Sequence, residues 1–177
     1  MVASDGLVRR ALAERTGVPA ETWVLGKGEH GRPVVVGPDA RWRFSVAHTA
    51  GMVMVGVSEA EIGVDVERLD RRIPDGVAGR WFAGEEAAAL VALPEPERGR
   101  RFLELWTLKE AYAKARGLGV IGLALDSFVV ALDPPRLVRS AGDDPARWHL
   151  ECRSLGEHLV AIVTTDPGRA ELREASL

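Results

Sequence analysis

The stretch that decides the fold is WTLKEAYAKARG, from Trp106 to Gly117, read together with IGVDVE, from Ile62 to Glu67. The first stretch is predicted to be helical. Residues four positions apart lie on one side of a helix, so Glu110 and Lys114 share a face, with Trp106 one turn earlier on the same side. Acidic, basic and aromatic side chains therefore line one face of this helix.

The second stretch alternates as a β-strand does. One side is predicted to carry Ile62, Val64 and Val66, and the other Gly63, Asp65 and Glu67. Two strand carboxylates and Glu110 from the helix would form a group of oxygen ligands, which hard cations such as Mg²⁺ prefer. Lys114, one turn beyond Glu110, is suited to a phosphate bridged to that metal.

Composition limits the class of protein. The chain has 177 residues, with 46% hydrophobic and 28% charged, which is ordinary for one globular domain or two small fused halves. A net charge of −3 argues against a nucleic-acid partner, and a single cysteine, Cys152, excludes a disulfide framework. No apolar run reaches the roughly 18 residues of a membrane span, and the N-terminus resembles an amphipathic helix and not a signal peptide. We expect a cytoplasmic monomer that does not bind membranes.

Periodicity predicts an α+β fold, in which a helix followed by a small, mainly antiparallel sheet occurs twice. The predicted divisions are an N-terminal half at 1–60, a C-terminal half with the metal site at 61–166, and a polar tail at 167–177. Ser4 is the expected N-cap of the first helix, and the strand 52–58, buried on both faces, is expected to form a hairpin with 62–67. Helices are predicted at 5–15, 84–93 and 97–116, and strands at 22–25, 33–36, 41–46, 52–58, 62–67, 127–132, 137–139, 148–153 and 159–164.

These motifs resemble the paired signature of the 4′-phosphopantetheinyl transferase superfamily. The signature has an apolar–Gly–apolar–Asp core, here ending at Asp65, and then an aromatic residue, a Lys-Glu pair and a further lysine, here Trp106, Lys109, Glu110 and Lys114. Lys109 follows Asp65 by 44 positions, a spacing that this family uses. The segments GRP at 31–33, FSVAHTAG at 44–51 and RWFAGEE at 80–86 resemble further family segments.

The resemblance is closest to the larger, surfactin-synthetase-activating type, because 64 residues precede Asp65. Larger-type members carry basic residues for the coenzyme's 3′-phosphate before the first helix, and this sequence has no room for them. Ala47 also replaces a serine of the family pattern, and Arg32 a lysine. Either the start of the sequence is misassigned or trimmed, or coenzyme binding relies more on Lys27, Arg32 and His48.

The activity implied is transfer of the phosphopantetheine arm of coenzyme A to a serine of an apo acyl- or peptidyl-carrier protein, with 3′,5′-ADP as the leaving group. By resemblance, Asp65, Glu67 and Glu110 hold Mg²⁺, with Mn²⁺ as an alternative ion. Lys114 and Lys109 bind the phosphate under attack, and Glu110 is alternatively the general base. Asp65, Glu110 and Lys114 are therefore the expected catalytic residues, with the carrier approaching along 68–78.

Alternative interpretations of the same residues stay open at this point. Lys109 lies about 100° around a helix from Glu110, so it is also compatible with a solvated or salt-bridged role. Glu86 is compatible with a helix cap, and the tryptophans with packing. A non-catalytic carrier-binding protein or a metal-dependent pyrophosphate hydrolase would share parts of the pattern. Metal-dependent, saturable binding of coenzyme A separates the binding protein from the transferase.

Overall fold

The computed structural model describes residues 2–28, 31–74, 76–118, 123–168 and 170–174. The helices are α1 (Val2–Thr16), α2 (Val77–Trp81), α3 (Gly84–Ala92) and α4 (Glu95–Ala115). The strands are β1 (Val24–Lys27), β2 (Pro33–Val36), β3 (Arg43–Thr49), β4 (Met52–Ser58), β5 (Ile62–Arg68), β6 (Phe128–Leu132), β7 (Pro135–Ser140), β8 (His149–Leu155) and β9 (His158–Thr164).

One order of elements occurs twice along the chain: a helix, a 3-10 turn and two antiparallel hairpins, with a further 3-10 turn at Pro145–Arg147 in the second copy. The first copy is α1, the turn Ala20–Thr22, β1–β2 and β3–β4, and the second is α4, the turn Leu125–Ser127, β6–β7 and β8–β9. Strand β5 joins the second copy, in a sheet of order β5-β9-β8. The predicted α+β fold with two similar halves is confirmed, while the residue boundaries between the halves stay a prediction.

Each long helix covers its own sheet. The apolar side of α1 packs with Val8 and Leu12 against β3 and β4, and Trp23 closes this core. Helix α4 packs across β5 and β9 in a larger core around Leu108 and Tyr112, both fully buried. Periodic apolar residues on each helix thus explain why two helix-and-sheet layers form.

Two predicted details of the first half are wrong. The helix α1 begins at Val2, so Ser4 lies within its first turn and does not cap it. Strand β4 pairs with β3 through a tight turn at Gly51, where φ is +81°, so it does not form a hairpin with Ile62–Arg68. Strand β4 is also only half-buried along most of its length, although both α1 and β5 pack against it.

Other bounds shift at the ends of elements. Strand β3 continues to Thr49, so His48 lies within the strand and not beyond it. Strand β7 is longer than the predicted minor strand, and α4 begins at Glu95 with Pro94 as its N-cap. The short helix α2 was not predicted, because five residues that include Gly79 carry no helical periodicity. Among the described residues, no helix is long and apolar enough to span a membrane.

Candidate active site

Helix α4 lies unusually close to strand β5. A Cβ atom on Gly63 would collide with the carbonyl oxygen of Ala111 and the amide nitrogen of Ala115, so only glycine fits beneath the helix. Ala111 and Ala115 are themselves fully buried at this crossing. The glycine and the two alanines therefore set the distance at which side chains from the two elements meet.

Because α4 runs antiparallel to β5 across this contact, side chains of the helix meet side chains of the strand and of the segment that follows it. Lys114 reaches Asp65, and nearer the start of the helix Trp106 meets Arg71, which follows the end of the strand. Asp65, Glu67 and Glu110, hereafter the carboxylate cluster, lie along this line. The described contacts join Lys114 of the helix to Asp65 of the strand, while the convergence of all three carboxylates on one metal stays a prediction.

Asp65 is buried and only partly satisfied. Lys114 Nζ donates to Asp65 Oδ1 at 2.7 Å and to the carbonyl oxygen of Val64 at 3.2 Å. The other oxygen, Asp65 Oδ2, is buried, and no described group donates a hydrogen bond to it. Burial raises the pKa of Asp65 above its usual value, although Lys114 opposes the shift. An unpartnered buried carboxylate oxygen is costly unless a cation or donor approaches it.

Glu67 lies two residues further along the same side of β5. The guanidinium of Arg71 forms an ion pair with it, and the Trp106 side chain lies close enough to oppose the rise in its pKa. Burial nevertheless raises the pKa of Glu67, with the charge of Asp65 adding to the shift. Arg71 and Trp106 were not predicted as partners of Glu67, but Arg71 stands four positions after Glu67 in a basic segment, which was the available signal.

Glu110 has the most altered acidity of the three. Burial, followed by the negative charge of Asp65, raises its pKa to about 7, while Lys114 opposes the shift. The charge of Glu67 acts on Glu110 in the same direction as Asp65. The charge of Asp65 thus raises the pKa of both Glu67 and Glu110, and a cation would stabilise the ionised forms of these carboxyls.

The donor set fits a hard divalent ion, although the side chains are not assembled around one. Within the described ranges, no three His, Cys, Asp or Glu side chains stand in an arrangement ready to hold a metal. Lys114 and Arg71 instead supply the positive charge next to Asp65 and Glu67. All donors in the carboxylate cluster are oxygens, and Asp65 Oδ2 is without a partner there, so the residues suit Mg²⁺ or Mn²⁺.

Lys109 does not reach the carboxylate cluster. It is fully buried and donates to Glu86 Oε2 at 2.7 Å and to the carbonyl oxygens of Leu125 at 2.9 Å and Phe128 at 2.6 Å. Burial lowers its pKa, and Glu86 opposes the shift. An ammonium has three donor hydrogens, and all three are used here. The expected coenzyme contact of Lys109 is therefore replaced by a structural role.

Glu86 is the other half of this buried pair. Its carboxylate accepts the amide hydrogens of Ala83 at 3.0 Å and Val130 at 2.8 Å, so it caps α3 and fastens that helix to β6. This supports the helix-cap interpretation of Glu86 and separates it from the metal ligands. A buried charge with a full set of partners is tolerated, and one without them is not.

The expected coenzyme contacts lie elsewhere. Arg32 forms an ion pair with Glu61, just before β5, and packs against Gly117 at the end of α4. His48 is exposed on β3, and Lys27 is exposed at the end of β1. The structure thus places Arg32 at the C-terminal end of α4, while the described contacts link neither His48 nor Lys27 to the carboxylate cluster. Ala47 is buried in a core cluster with Met54 and Val64.

Aromatic residues mark the other end of the site. The ring centroids of Trp81 and Trp106 are 6.4 Å apart in an edge-to-face pair, and Arg71 lies over the Trp106 ring at 5.2 Å. Trp81 is 37% exposed while its ring packs on Trp106, whereas Trp23, Trp42 and Trp148 are buried as predicted. Cys152 lies on β8 and is half-buried.

Comparisons with known proteins agree with this site. A family model described as the 4′-phosphopantetheinyl transferase superfamily matches residues 61–163. The chain is 27% identical to the 4′-phosphopantetheinyl transferase psf-1 of Bacillus pumilus over 93% of this chain and 70% of that protein. It is 31% identical to the 4′-phosphopantetheinyl transferase Sfp of Bacillus subtilis over 72% of this chain and 56% of that protein.

A solved structure is also similar. The holo-(acyl-carrier-protein) synthase of Bacillus anthracis, in complex with CoA (3′,5′-ADP), is 25% identical with a TM-score of 0.51, over 59% of this chain and 93% of that one. The chain spans about half the length of several curated relatives, such as the gsp transferase of Aneurinibacillus migulanus, at 49%. The family model covers more than half of the chain, including both motifs, and the chain belongs to the 4′-phosphopantetheinyl transferase superfamily.

Proposed function

We propose that the protein transfers the 4′-phosphopantetheine arm of coenzyme A to a serine of an apo carrier protein and releases 3′,5′-ADP. The observation that carries this proposal is the carboxylate cluster with Lys114 beside it, within a chain of this superfamily. In phosphoryl transfer, positioning and neutralisation of charge supply most of the catalysis. Oxygen ligands next to a lysine are the groups that such a reaction needs.

Asp65, Glu67 and Glu110 are the residues that would hold Mg²⁺, or Mn²⁺ in its place. The bound ion supplies charge stabilisation to pyrophosphate oxygens and to the departing ADP. Asp65 contributes the oxygen that lacks a hydrogen-bond partner among the described residues. The raised pKa values of all three carboxyls support the proposal, since positive charge there favours their ionised forms.

Lys114 is the proposed phosphate-binding residue. Its side chain is 26% exposed, and its ammonium is held by Asp65 Oδ1 and the carbonyl oxygen of Val64, which leaves one donor hydrogen for a ligand. A fixed ammonium at this position would neutralise the phosphate under attack. Lys109 has no such free donor and is assigned to the fold.

Glu110 is a second candidate for a chemical role, as general base. With a pKa of about 7, the Glu110 carboxyl can take up and release a proton near neutral pH. Its side chain is half-buried, so substrate can reach it. In this role it would accept the proton from the carrier serine. A ligand role for Glu110 lowers its pKa and moves proton acceptance to a water molecule, so the two roles differ in pH dependence.

We place the nucleotide of coenzyme A towards Arg32, with His48 and Lys27 as further contacts. Arg32 is bound to Glu61 at 3.5 Å, a long ion pair at the edge of the hydrogen-bond range. A phosphate would compete with Glu61 for the guanidinium, which presents paired donors to phosphate oxygens. The known complex of the Bacillus anthracis synthase with CoA supports the choice of ligand.

The carrier protein is proposed to approach from the other end of α4, along residues 68–78 and the adjacent α2. Trp81 exposes its ring there, and Ile73 and Val77 pack beneath the surface against the core. Exposed aromatic rings with neighbouring arginines are typical of protein-binding surfaces. A monomeric state and a cytoplasmic location remain predictions.

Binding of coenzyme A tests the first half of the proposal and separates it from the non-catalytic alternative. Calorimetric titration of coenzyme A should give saturable binding that requires Mg²⁺ in the wild type and is weakened in Glu110→Gln. Equal binding in EDTA and in Mg²⁺ would favour a carrier-binding protein without catalysis. The absence of binding in both conditions would contradict the transferase.

A further inference from the structure

Arg71 is a cation built into the carboxylate cluster. It follows β5 in a segment without regular secondary structure, forms the ion pair with Glu67, and lies over the Trp106 ring. Its charge also acts on Asp65 and on Glu110, so one guanidinium faces all three carboxylates. Its side chain is 40% exposed, which gives it a path away from the cluster.

Among the described residues, Lys114 is the other basic side chain whose charge lowers the pKa of all three carboxyls. Together, the two side chains supply two positive charges, the same charge as one divalent ion. They differ in how they are held. Lys114 projects from α4 and bonds both to Asp65 and to a main-chain carbonyl, whereas the described side-chain hydrogen bond of Arg71 goes to Glu67 alone.

We propose that Arg71 is a resident counter-ion of the carboxylate cluster, which a divalent cation displaces from Glu67 when it binds. The inference rests on the proposed metal role of the cluster and deepens it. The Arg71 ion pair stabilises the metal-free protein, while Lys114 stays in place for the phosphate. Only the fraction of molecules with Glu67 released binds the ion well, so Arg71 reduces the apparent metal affinity.

The Trp106 ring explains how Arg71 can leave Glu67 while the segment that carries Arg71 stays in place. A guanidinium over an aromatic ring keeps a favourable contact even when its carboxylate partner changes. Trp106 also contacts the Trp81 ring and so links this segment to α2. Arg71 can therefore leave Glu67 and remain on the surface of the site.

Titration of the protein with Mn²⁺, followed by the electron paramagnetic resonance of the free ion, tests this inference without a transfer assay. Arg71→Gln removes the competing charge and should tighten Mn²⁺ binding about fivefold, the effect of removing one partly exposed ion pair. Arg71→Lys should lie between the wild type and Arg71→Gln. Arg72→Gln, at the exposed neighbouring position, is the matched control and should bind as the wild type does.

A second readout must move in the opposite direction. In EDTA, Arg71→Gln should unfold at lower urea concentration than the wild type, because the cluster loses one of its two cations. Tighter Mn²⁺ binding combined with lower metal-free stability supports the exchange, as does Mn²⁺ binding by Arg71→Gln alone.

Equal Mn²⁺ affinity in the wild type and Arg71→Gln would overturn the counter-ion role and leave the proposed function intact. Weaker binding in Arg71→Gln would overturn it too, because Arg71 would then support the ion. No Mn²⁺ binding by either protein would overturn both the exchange and the proposed metal site.

Discussion

Gly63 of β5 lies directly beneath Ala111 of α4, at a separation that leaves no room for a side chain on the strand. A Cβ on Gly63 would approach Ala111 and Ala115 main-chain atoms more closely than real Cβ atoms do. This contact brings Glu110 and Lys114 over Asp65. The active site therefore depends on a glycine that takes no part in chemistry.

Gly63→Ala should force α4 away from β5 and lower the free energy of unfolding by about 3 kcal/mol, the upper range for overpacking a core. Urea unfolding measures the loss. Gly99→Ala, in an exposed position of the same helix with open space around it, should stabilise the protein by about 1 kcal/mol. A Gly63→Ala protein as stable as the wild type would show that the helix does not rest on this residue.

Asp65→Ala and Glu110→Ala should each lower kcat/KM for carrier modification by at least about a hundredfold, the upper end of what loss of an outer-shell metal partner costs. Circular dichroism should show an unchanged fold, since neither carboxylate belongs to the apolar cores. Glu97→Gln, an exposed carboxylate in the first turn of α4, is the control. Activity near the wild-type level in either alanine variant would reject the metal assignment.

The two lysines of the helix motif should fail in different ways. Lys109→Met should lower the free energy of unfolding by about 3 to 5 kcal/mol, because it leaves the buried Glu86 without its cation. Glu86→Gln added to Lys109→Met should restore part of that loss. Lys114→Ala should instead lower kcat/KM about a hundredfold, as removal of one donor to a developing charge does.

The paired measurement of urea unfolding and kcat/KM distinguishes these roles. Lys114→Ala should change stability less than Lys109→Met, since Lys114 is partly exposed and Asp65 can take up a proton in its absence. If Lys109→Met proved stable but inactive, the side chain would have to reach substrate, and the assignment of roles would be reversed.

Stability without metal should fall as the pH rises. Burial and the neighbouring charges raise the pKa of Glu110 from 4.5 to about 7, so the folded protein holds a proton that the unfolded chain has released. The resulting stabilisation is complete below about pH 4.5 and is lost as the pH passes through 7. Urea unfolding in EDTA between pH 5.5 and 8.5 should show this decline, and Glu110→Gln should reduce it.

Mg²⁺ should then stabilise the wild type more at pH 8 than at pH 5.5, because the ion binds the ionised carboxylates. The same pH dependence of stability in Glu110→Gln and in the wild type would place the titrating group elsewhere.

Local patterns predicted much of this site because a strand and a helix have fixed periods. Asp65 and Glu67 follow from alternation, and Glu110 and Lys114 from a four-residue spacing. The same helical geometry gave the direction of the Lys109 side chain but not the residues that cover it, so the role of Lys109 stayed open. Its partners, Glu86 and the carbonyl oxygens of Leu125 and Phe128, come from two separate segments.

Strand pairing and irregular segments were less predictable. Strand β4 lies before β5 in sequence but pairs with β3, and β5 pairs with β9, almost a hundred residues later. Arg71 stands only four positions after Glu67, but it lies in a segment without a repeating pattern, so the spacing alone did not predict their ion pair. The exposure of Trp81 was not predictable, because a sequence does not distinguish a buried tryptophan from a partly exposed one.

The transfer reaction itself is tested most directly by intact-protein mass spectrometry of an apo carrier protein after incubation with this protein, coenzyme A and Mg²⁺. The carrier should gain the mass of one phosphopantetheine. EDTA should prevent this gain, and no gain should occur with the Glu110→Ala variant. No gain across acyl- and peptidyl-carrier proteins, from a protein that binds both coenzyme A and Mn²⁺, would contradict the proposed transferase and favour a carrier-binding role.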